Sequence, residues 1–380
     1  MWHYPVMNIK LDQSSLADDS QAAMREAIKD IAVGPDRGRD ISRERATLVM
    51  RGILNGDIDE IQTAVFLIAL RMKRESIDEF LGLYDALTSS VQSATADVDD
   101  LLVLADPFDG YVRNISITPF MPAVLSACGH NAIIHGVETV GPKHGVTAHK
   151  VYKAAGIETQ LNAQNVADNV AGIGWGYVDQ SCYASPLFAL QDLRDRIVKR
   201  TALTTLERLL VPIRAKRNTH LVLGYVHKAY PAIYATVAKQ AGYKSVLLLK
   251  GVEGGLAPAL NKPLRKFFFD GELPSDIDAE KKLLESQTIF NSPSAAMSAD
   301  LIGGDSAMFG IEQCLETGLG VLSGVKSVAR DSLCLATAQI LTDHESGLSL
   351  HDAVEKVQAC LDNGLAKERF NALVNKSNMA

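Results

Sequence analysis

The chain is short of several things, and each shortage removes a class of protein. Aromatic residues make up 6% of its 380 residues, and no CxxC pair occurs among five scattered cysteines (Cys128, Cys182, Cys314, Cys334 and Cys360). An odd, scattered set argues against a disulfide framework and for buried free thiols in a reducing compartment. No apolar run approaches the ~18 residues needed to span a bilayer, so no membrane partner is expected. The opening MWHYPVMNIKLDQ has no charged-then-apolar leader, and the expected location is the cytoplasm. GxSxG, P-loop and Cys–His nucleophile signatures are missing. His130, His144 and His149 lack the helical spacing of zinc ligands, so no metal site is expected. A net charge of −7 excludes a generic polyanion binder, which leaves only local clusters to carry such a role.

What is present is ordinary for a globular protein: 47% hydrophobic and 22% charged residues, with length for two domains or one large one. Residues 1 to about 20 read as a polar, irregular lead. Three amphipathic helices follow. Ala46, Val49, Met50, Ile53 and Leu54 share one face, and Asn55-Gly56 supplies a left-handed stop. Asp57 with Glu60 predicts a capping box for the next helix, whose stripe is Ile61, Ala64, Val65, Ile68 and Met72. Ser76 with Glu79 starts the third, with Ile77, Phe80, Leu81, Tyr84 and Leu87. Three short helices cannot each bury a face alone, so the bundle needs a later segment or a second subunit.

The stretch 101–156 organises the rest. An apolar run (101–105) leads to a turn with Pro107, Asp109 and Gly110, then to Asn114, Ser116 and Thr118, a helical run, and a second apolar run ending in His135-Gly136. Strand, polar loop, helix, strand places polar groups at a strand's carboxyl end and a helix start, where ligands of α/β sheets sit. Asp106 and Asp109 read most economically as turn residues, and His135 as a strand-capping histidine or a ligand contact. Residues 162–182, small and polar with Gly172, Gly174 and Gly176, read as a loop or crossover. Beyond them, strands at His220–Tyr225 and Ser245–Lys250 flank a helix at Ala232–Gly242, an alternation that predicts a sheet with parallel pairs. Residues 270–308 read as irregular or edge strand, and the end as helices at 332–341, 350–361 and 367–374.

Between 194 and 217 stand Arg194, Arg196, Lys199, Arg200, Arg208, Arg214, Lys216 and Arg217 against Asp195 and Glu207, a local charge of +6 that leaves −13 for the remainder. Such segregation suits a backbone-directed, weakly sequence-selective contact with a polyanion. A solvated helix pair is the plainer alternative. No aromatic residue interleaves these charges, so base stacking is not indicated.

ILNGDIDEIQTAVFLIALRMKRESIDEFLGLYDAL (53–87), NISIT (114–118), HG (135–136), AAG (154–156), RT (200–201) and SLHDAVEKVQACLDNGLA (349–366) fall in one order along nearly the whole chain. In that order they resemble the family 3 glycosyl/phosphoribosyl transferases, the group of the anthranilate phosphoribosyltransferases. The resemblance implies an α/β fold: a small N-terminal helical bundle domain plus a larger α/β domain with a central, mostly parallel sheet flanked by helices. It implies residues 1–95, joined by helices from about 177–212, as the helical domain, with 98–176 and 213–380 as the α/β domain. It also implies a homodimer formed through the helical domains.

The family's diphosphate loop is GTGGD; here the same place reads Ala105-Asp106-Pro107-Phe108-Asp109. Proline removes an N–H donor and fixes φ, and Asp106 adds negative charge. The KHGN lysine is replaced by Ile134, and the acidic pair that holds magnesium falls at Ala257-Pro258. The FNLLGPL run after RT is LTTLERL here. Matching positions remain. Asn114, Ser116, Thr118 and Lys143 are the expected phosphate donors, with Asp109, Gly110, His135 and Gly136 beside them, and Arg194 stands where the family meets its aromatic acid. A subgroup of the family shares the fold, lacks these motifs and binds nucleic acid as a dimer; its late loop resembles Val252-Glu253-Gly254-Gly255. The expectation is therefore a divergent member that binds DNA or RNA through a basic groove, needing no cofactor. The alternative is an active pentosyl (phosphoribosyl) transferase with an altered acceptor, using Mg with phosphoribosyl diphosphate.

Overall fold

A computed structural model describes residues 13–34, 36–227, 229–260, 263–270, 281–285 and 309–378. Four helices precede the first strand: α1 (Gln13–Ile31), α2 (Arg43–Asn55), α3 (Glu60–Lys73) and α4 (Ile77–Ser89). The helix α1 begins inside the expected irregular lead of residues 1 to about 20 and has no counterpart among the three expected helices. Met24, Ala27 and Ile31 lie on one buried face, at spacings of three and seven that the polar residues between them hide. The helix α2 ends at Gly56, which is left-handed at φ 80°. The box at Asp57 does not form. Asp59 caps α3 instead, its carboxylate accepting the Ile61 and Gln62 N–H groups at 2.9 and 3.0 Å, because a cap reaches the N–H two or three residues on. The Ser76–Glu79 box does form: Ser76 N–H donates to Glu79 at 2.7 Å, and Glu79 N–H donates to Ser76 Oγ at 3.3 Å.

The buried face of α3 is Thr63, Phe66, Leu67 and Leu70. The stripe expected inside is largely outside: Ile61, Val65 and Met72 are 78%, 43% and 69% exposed. The chain separates into two compact units, with the break between Ser89 and Ser90. The short helices between 180 and 206 fall in the second unit, not with the helical domain that the resemblance implies for about 177–212.

The second unit holds nine strands among the described residues: β1 (Ala94–Thr95), β2 (Asp100–Ala105), β3 (Ala132–Gly136), β4 (Trp175–Asp179), β5 (Ile213–Arg214), β6 (Asn218–Gly224), β7 (Ser245–Leu249), β8 (Pro263–Asp270) and β9 (Lys281–Glu285). The seven-stranded sheet runs β4-β3-β2-β6-β7-β8-β9, while β1 and β5 form a parallel pair of their own. Strands β4 through β7 in that order are parallel; β8 and β9 are antiparallel additions at one edge. Leu102 and Leu104 enter one core cluster with helices 121–127, 328–344, 350–362 and 365–377. Leu101 and Val103 are equally buried, so the strand is covered on both faces, as parallel strands are.

Residues 162–182 are not a loop. Asn162 caps a helix (Ala163–Ile173), Gly174 closes it, and β4 follows directly as the sheet's edge. The small residues serve close packing: a Cβ on Gly176 would stand 2.7 Å from Val166. A helix at Ile311–Leu322 was also not foreseen, and the last three helices run longer than expected. Cys128, Cys314, Cys334 and Cys360 are buried, Cys182 is half-buried, and all five are free.

Candidate functional site

The chain leaves β2 in one direction to build β3 and β4, then returns to place β6 on β2's other side. That reversal makes a crevice at the carboxyl ends of β2 and β6, the place where open α/β sheets bind ligands. Arg208 fills it. Its Nη2 donates to the carbonyls of Ala105, Gly224 and Gly254 at 2.7, 3.0 and 3.1 Å. One buried guanidinium thus joins the ends of both strands to the glycine-rich loop.

That loop, Gly251–Gly255, lies closely over the site. A Cβ on Gly255 would sit 1.6 Å from the Tyr111 hydroxyl, so only glycine lets the backbone approach. Tyr111 donates to Asp106 Oδ1 at 2.7 Å, the Leu256 N–H donates to the same oxygen at 3.3 Å, and Thr118 donates to Asp106 Oδ2. Burial pushes the Asp106 carboxyl above its ordinary pKa, against its hydrogen bonds and the charge of Arg208. Asp109 accepts from Arg200 Nε and Nη2 at 2.9 and 2.5 Å, and Lys143 stands 3.5 Å from its other oxygen. Gly110 takes φ +72° and its Cα faces the backbone of Gly145 and Val146, which sets Tyr111 in a bridge with Val146.

Glu253 was not among the sequence candidates, yet it gathers several of them. Its carboxylate accepts the N–H groups of Val112 (3.3 Å) and Arg113 (2.9 Å), the Asn114 side-chain amide (2.9 Å) and the Lys143 ammonium (3.1 Å). Burial works to raise its pKa, but Lys143, Asn114 and the Arg113 N–H outweigh burial and hold it below the ordinary glutamate range. Glu253 also has φ +50°, rare for a residue with a side chain. The sequence signal was a single carboxylate in a glycine run just after an apolar strand.

Other candidates are separate from this cluster. Ser116 is buried; its N–H meets Cys314 Sγ at 3.4 Å and its hydroxyl has no protein partner. His135, beside Gly136 at the end of β3, shares a 2.9 Å bond with the Tyr183 hydroxyl. Burial and the charge of Arg208 push its pKa down to about 3, so the ring is neutral at pH 7. Arg194 does not face an acceptor pocket. It makes a two-pronged pair with Glu207, 2.7 Å on each prong, with 4% and 0% of the two side chains exposed. Glu207, the residue that replaced the family's glycine, also accepts from Gln180 at 3.1 Å.

The basic segment does not form one cationic face. Arg194 and Arg208 are buried, which corrects the expectation of Arg208 as a polyanion contact. Arg214 is half-buried and donates to the Ala241 carbonyl. Arg196, Lys199, Arg200, Lys216 and Arg217 are exposed. Four of the five stand beside carboxylates, Asp192, Asp109, Asp97 and Asp99 respectively for Arg196, Arg200, Lys216 and Arg217. A cavity of about 500 Å³ lies at the opposite end of the sheet, lined in part by Asp99, the partner of Arg217, with Asp100, His130, His220 and His344. Among the described residues no group of three or more His, Cys, Asp or Glu is placed to hold a metal ion, and no helix is long and apolar enough to cross a membrane.

An N-terminal helical bundle with a larger α/β unit, built on a mostly parallel sheet with its crevice at the β2–β6 reversal, defines a glycosyltransferase-type architecture. The comparisons agree. Residues 25–91 match the helical bundle domain of the glycosyl transferase family. An uncharacterized protein of Aquifex aeolicus is 29% identical over 67% of this chain and 80% of its own length. An anthranilate phosphoribosyltransferase of Delftia acidovorans is 25% identical over 88% and 93%. Two solved anthranilate phosphoribosyltransferases share the fold. The Thermus thermophilus structure has TM-score 0.72 at 18% identity, covering 94% of this chain and 99% of its own. The Saccharomyces cerevisiae structure in complex with PRPP and Mg has TM-score 0.77 at 14% identity, covering 95% and 99%. Along most of its length the chain is thus similar to the anthranilate phosphoribosyltransferases and shares their fold, and its helical unit matches the bundle domain of the glycosyl transferase family.

Proposed function

We propose that this chain is a divergent member of its family whose phosphoribosyl diphosphate site has been rebuilt from its own carboxylates, and that it works by binding nucleic acid as a homodimer. The observation that carries the first half is the spending of the cradle's donors inside the protein. Thr118 is held by Asp106, Arg200 by Asp109, and Asn114 and Lys143 by Glu253. Asp109 and Glu253 repel the anion for which the donors would be needed. The residues do not fit a magnesium–diphosphate complex either. Ala257 and Pro258 offer no carboxylate, and Asp106 is committed to Tyr111, Thr118 and Leu256.

Nucleic-acid binding then falls to the exposed Arg196, Lys199, Lys216 and Arg217. These act on phosphates, so affinity falls steeply with salt and depends little on sequence. Self-association falls to Ile61, Val65 and Met72, the exposed apolar side chains of α3. Fluorescence anisotropy of labelled DNA and RNA across a salt series tests the reading. A linear fall of log affinity with log salt is expected; no binding at low salt refutes it.

One observation favours an active pentosyl transferase with a changed acceptor: Asn114, Lys143 and two N–H groups still converge on a single anion position. Pyrophosphate release from phosphoribosyl diphosphate and Mg²⁺, with a panel of aromatic acids and bases, would establish that alternative.

A further inference from the structure

Building on the reading that the cradle is self-occupied, we propose that the donors around Glu253 form an oxyanion site for one phosphate group, which the Glu253 carboxylate fills as a displaceable internal ligand. The donors are the right set. Two successive backbone N–H groups, from Val112 and Arg113, point at one position, with a side-chain amide and an ammonium beside them. Such a concave set of N–H groups with a lysine is how proteins hold tetrahedral oxyanions. A carboxylate offers two oxygens and one charge to it; a phosphate offers three free oxygens and up to two charges.

The occupant is built to leave. Glu253 belongs to no strand or long helix; it sits in a short turn with Gly251 before it and Gly254 and Gly255 after it. Its backbone stands at φ +50°, a conformation disfavoured for a residue with a Cβ. Release of the side chain then allows the loop to relax. The site is also reachable: Lys143 and Glu253 keep 15% and 12% of their side chains exposed. A tethered ligand competes at a high effective concentration, so wild type binds free phosphate weakly and removal of the tether unmasks the site.

The test is calorimetric titration of inorganic phosphate into the full-length wild-type chain, Glu253→Gly and Glu253→Gln. Glu253→Gly removes the ligand and suits the positive φ; Glu253→Gln keeps the shape and removes the charge. The expected result is phosphate affinity at least about tenfold above wild type in both variants, lost again when Lys143→Met is added. Variants that remain folded by circular dichroism but bind phosphate no better than wild type overturn the proposal. So does a gain that survives Lys143→Met. Should Glu253→Gly fail to fold, Glu253→Gln decides alone. Anisotropy with nucleic acid on the same samples bears on the function reading separately, since none of its four exposed cations is altered.

Discussion

At the level of single residues, Arg194 and Glu207 form a buried ion pair. The guanidinium that the family resemblance assigned to an aromatic acid substrate is paired on two prongs with a fully buried glutamate. A buried ion pair contributes little net stability, but losing one partner leaves an unpaired buried charge. Glu207→Ala is therefore expected to destabilise the chain by about 3–5 kcal/mol, read by urea unfolding, whereas Arg194→Met with Glu207→Leu costs far less. An equal loss in both variants would mean that the pair's charges are not what matters. Glu253 gives a pH signature. Its folded pKa lies below the ordinary value of 4.5, so its ionised form stabilises the fold fully above that value. The contribution is lost as pH falls through the lowered folded pKa. The stability difference between wild type and Glu253→Gln should be constant at neutral pH and shrink below about pH 4.5; a difference that grows on acidification contradicts the assignment.

Among the elements, caps and close approaches carry the argument. Ser76→Ala removes one half of the box that opens α4 and should cost about 1 kcal/mol in thermal or urea unfolding. Gly255→Ala would drive a Cβ to within 1.6 Å of the Tyr111 hydroxyl. It should break the Tyr111–Asp106 bond and displace the Gly251–Gly255 loop, seen as a change in Tyr111 exposure by near-ultraviolet spectroscopy. The Ser76–Glu79 box and the alternation of strand and helix through 218–249 were legible because each signal is local. The helix α1, the helix 163–173 and the edge strand β4 were not. Small and polar residues dilute their stripes, such as Met24, Ala27 and Ile31 in α1 and Ala163, Val166, Ala167 and Val170 in the helix 163–173, and local spacing alone does not show what covers such a face. The site was half legible for the same reason. Asn114 and Lys143 could be named from the order of motifs, but their partner Glu253 lies more than a hundred residues away. No local rule predicts a carboxylate at the place of a phosphate.

At the scale of the whole molecule the family fold is kept while the charges at its crevice are rearranged. Strand order and the reversal at β2–β6 supply the crevice of the α/β unit. Within it, Arg208 ties three carbonyls together and Asp106, Asp109 and Glu253 absorb the donors. The bare stripe on α3 belongs to this scale too. Replacing Ile61 and Met72 by lysine should lower the sedimenting mass from dimer to monomer without unfolding the bundle, since both side chains are exposed. On the proposed function the cradle is closed to phosphoribosyl diphosphate. Isothermal titration of phosphoribosyl diphosphate with Mg²⁺ into the wild-type chain tests it directly. No saturable heat at millimolar ligand is the predicted result; one-site binding in the micromolar range, dependent on Mg²⁺, would contradict it.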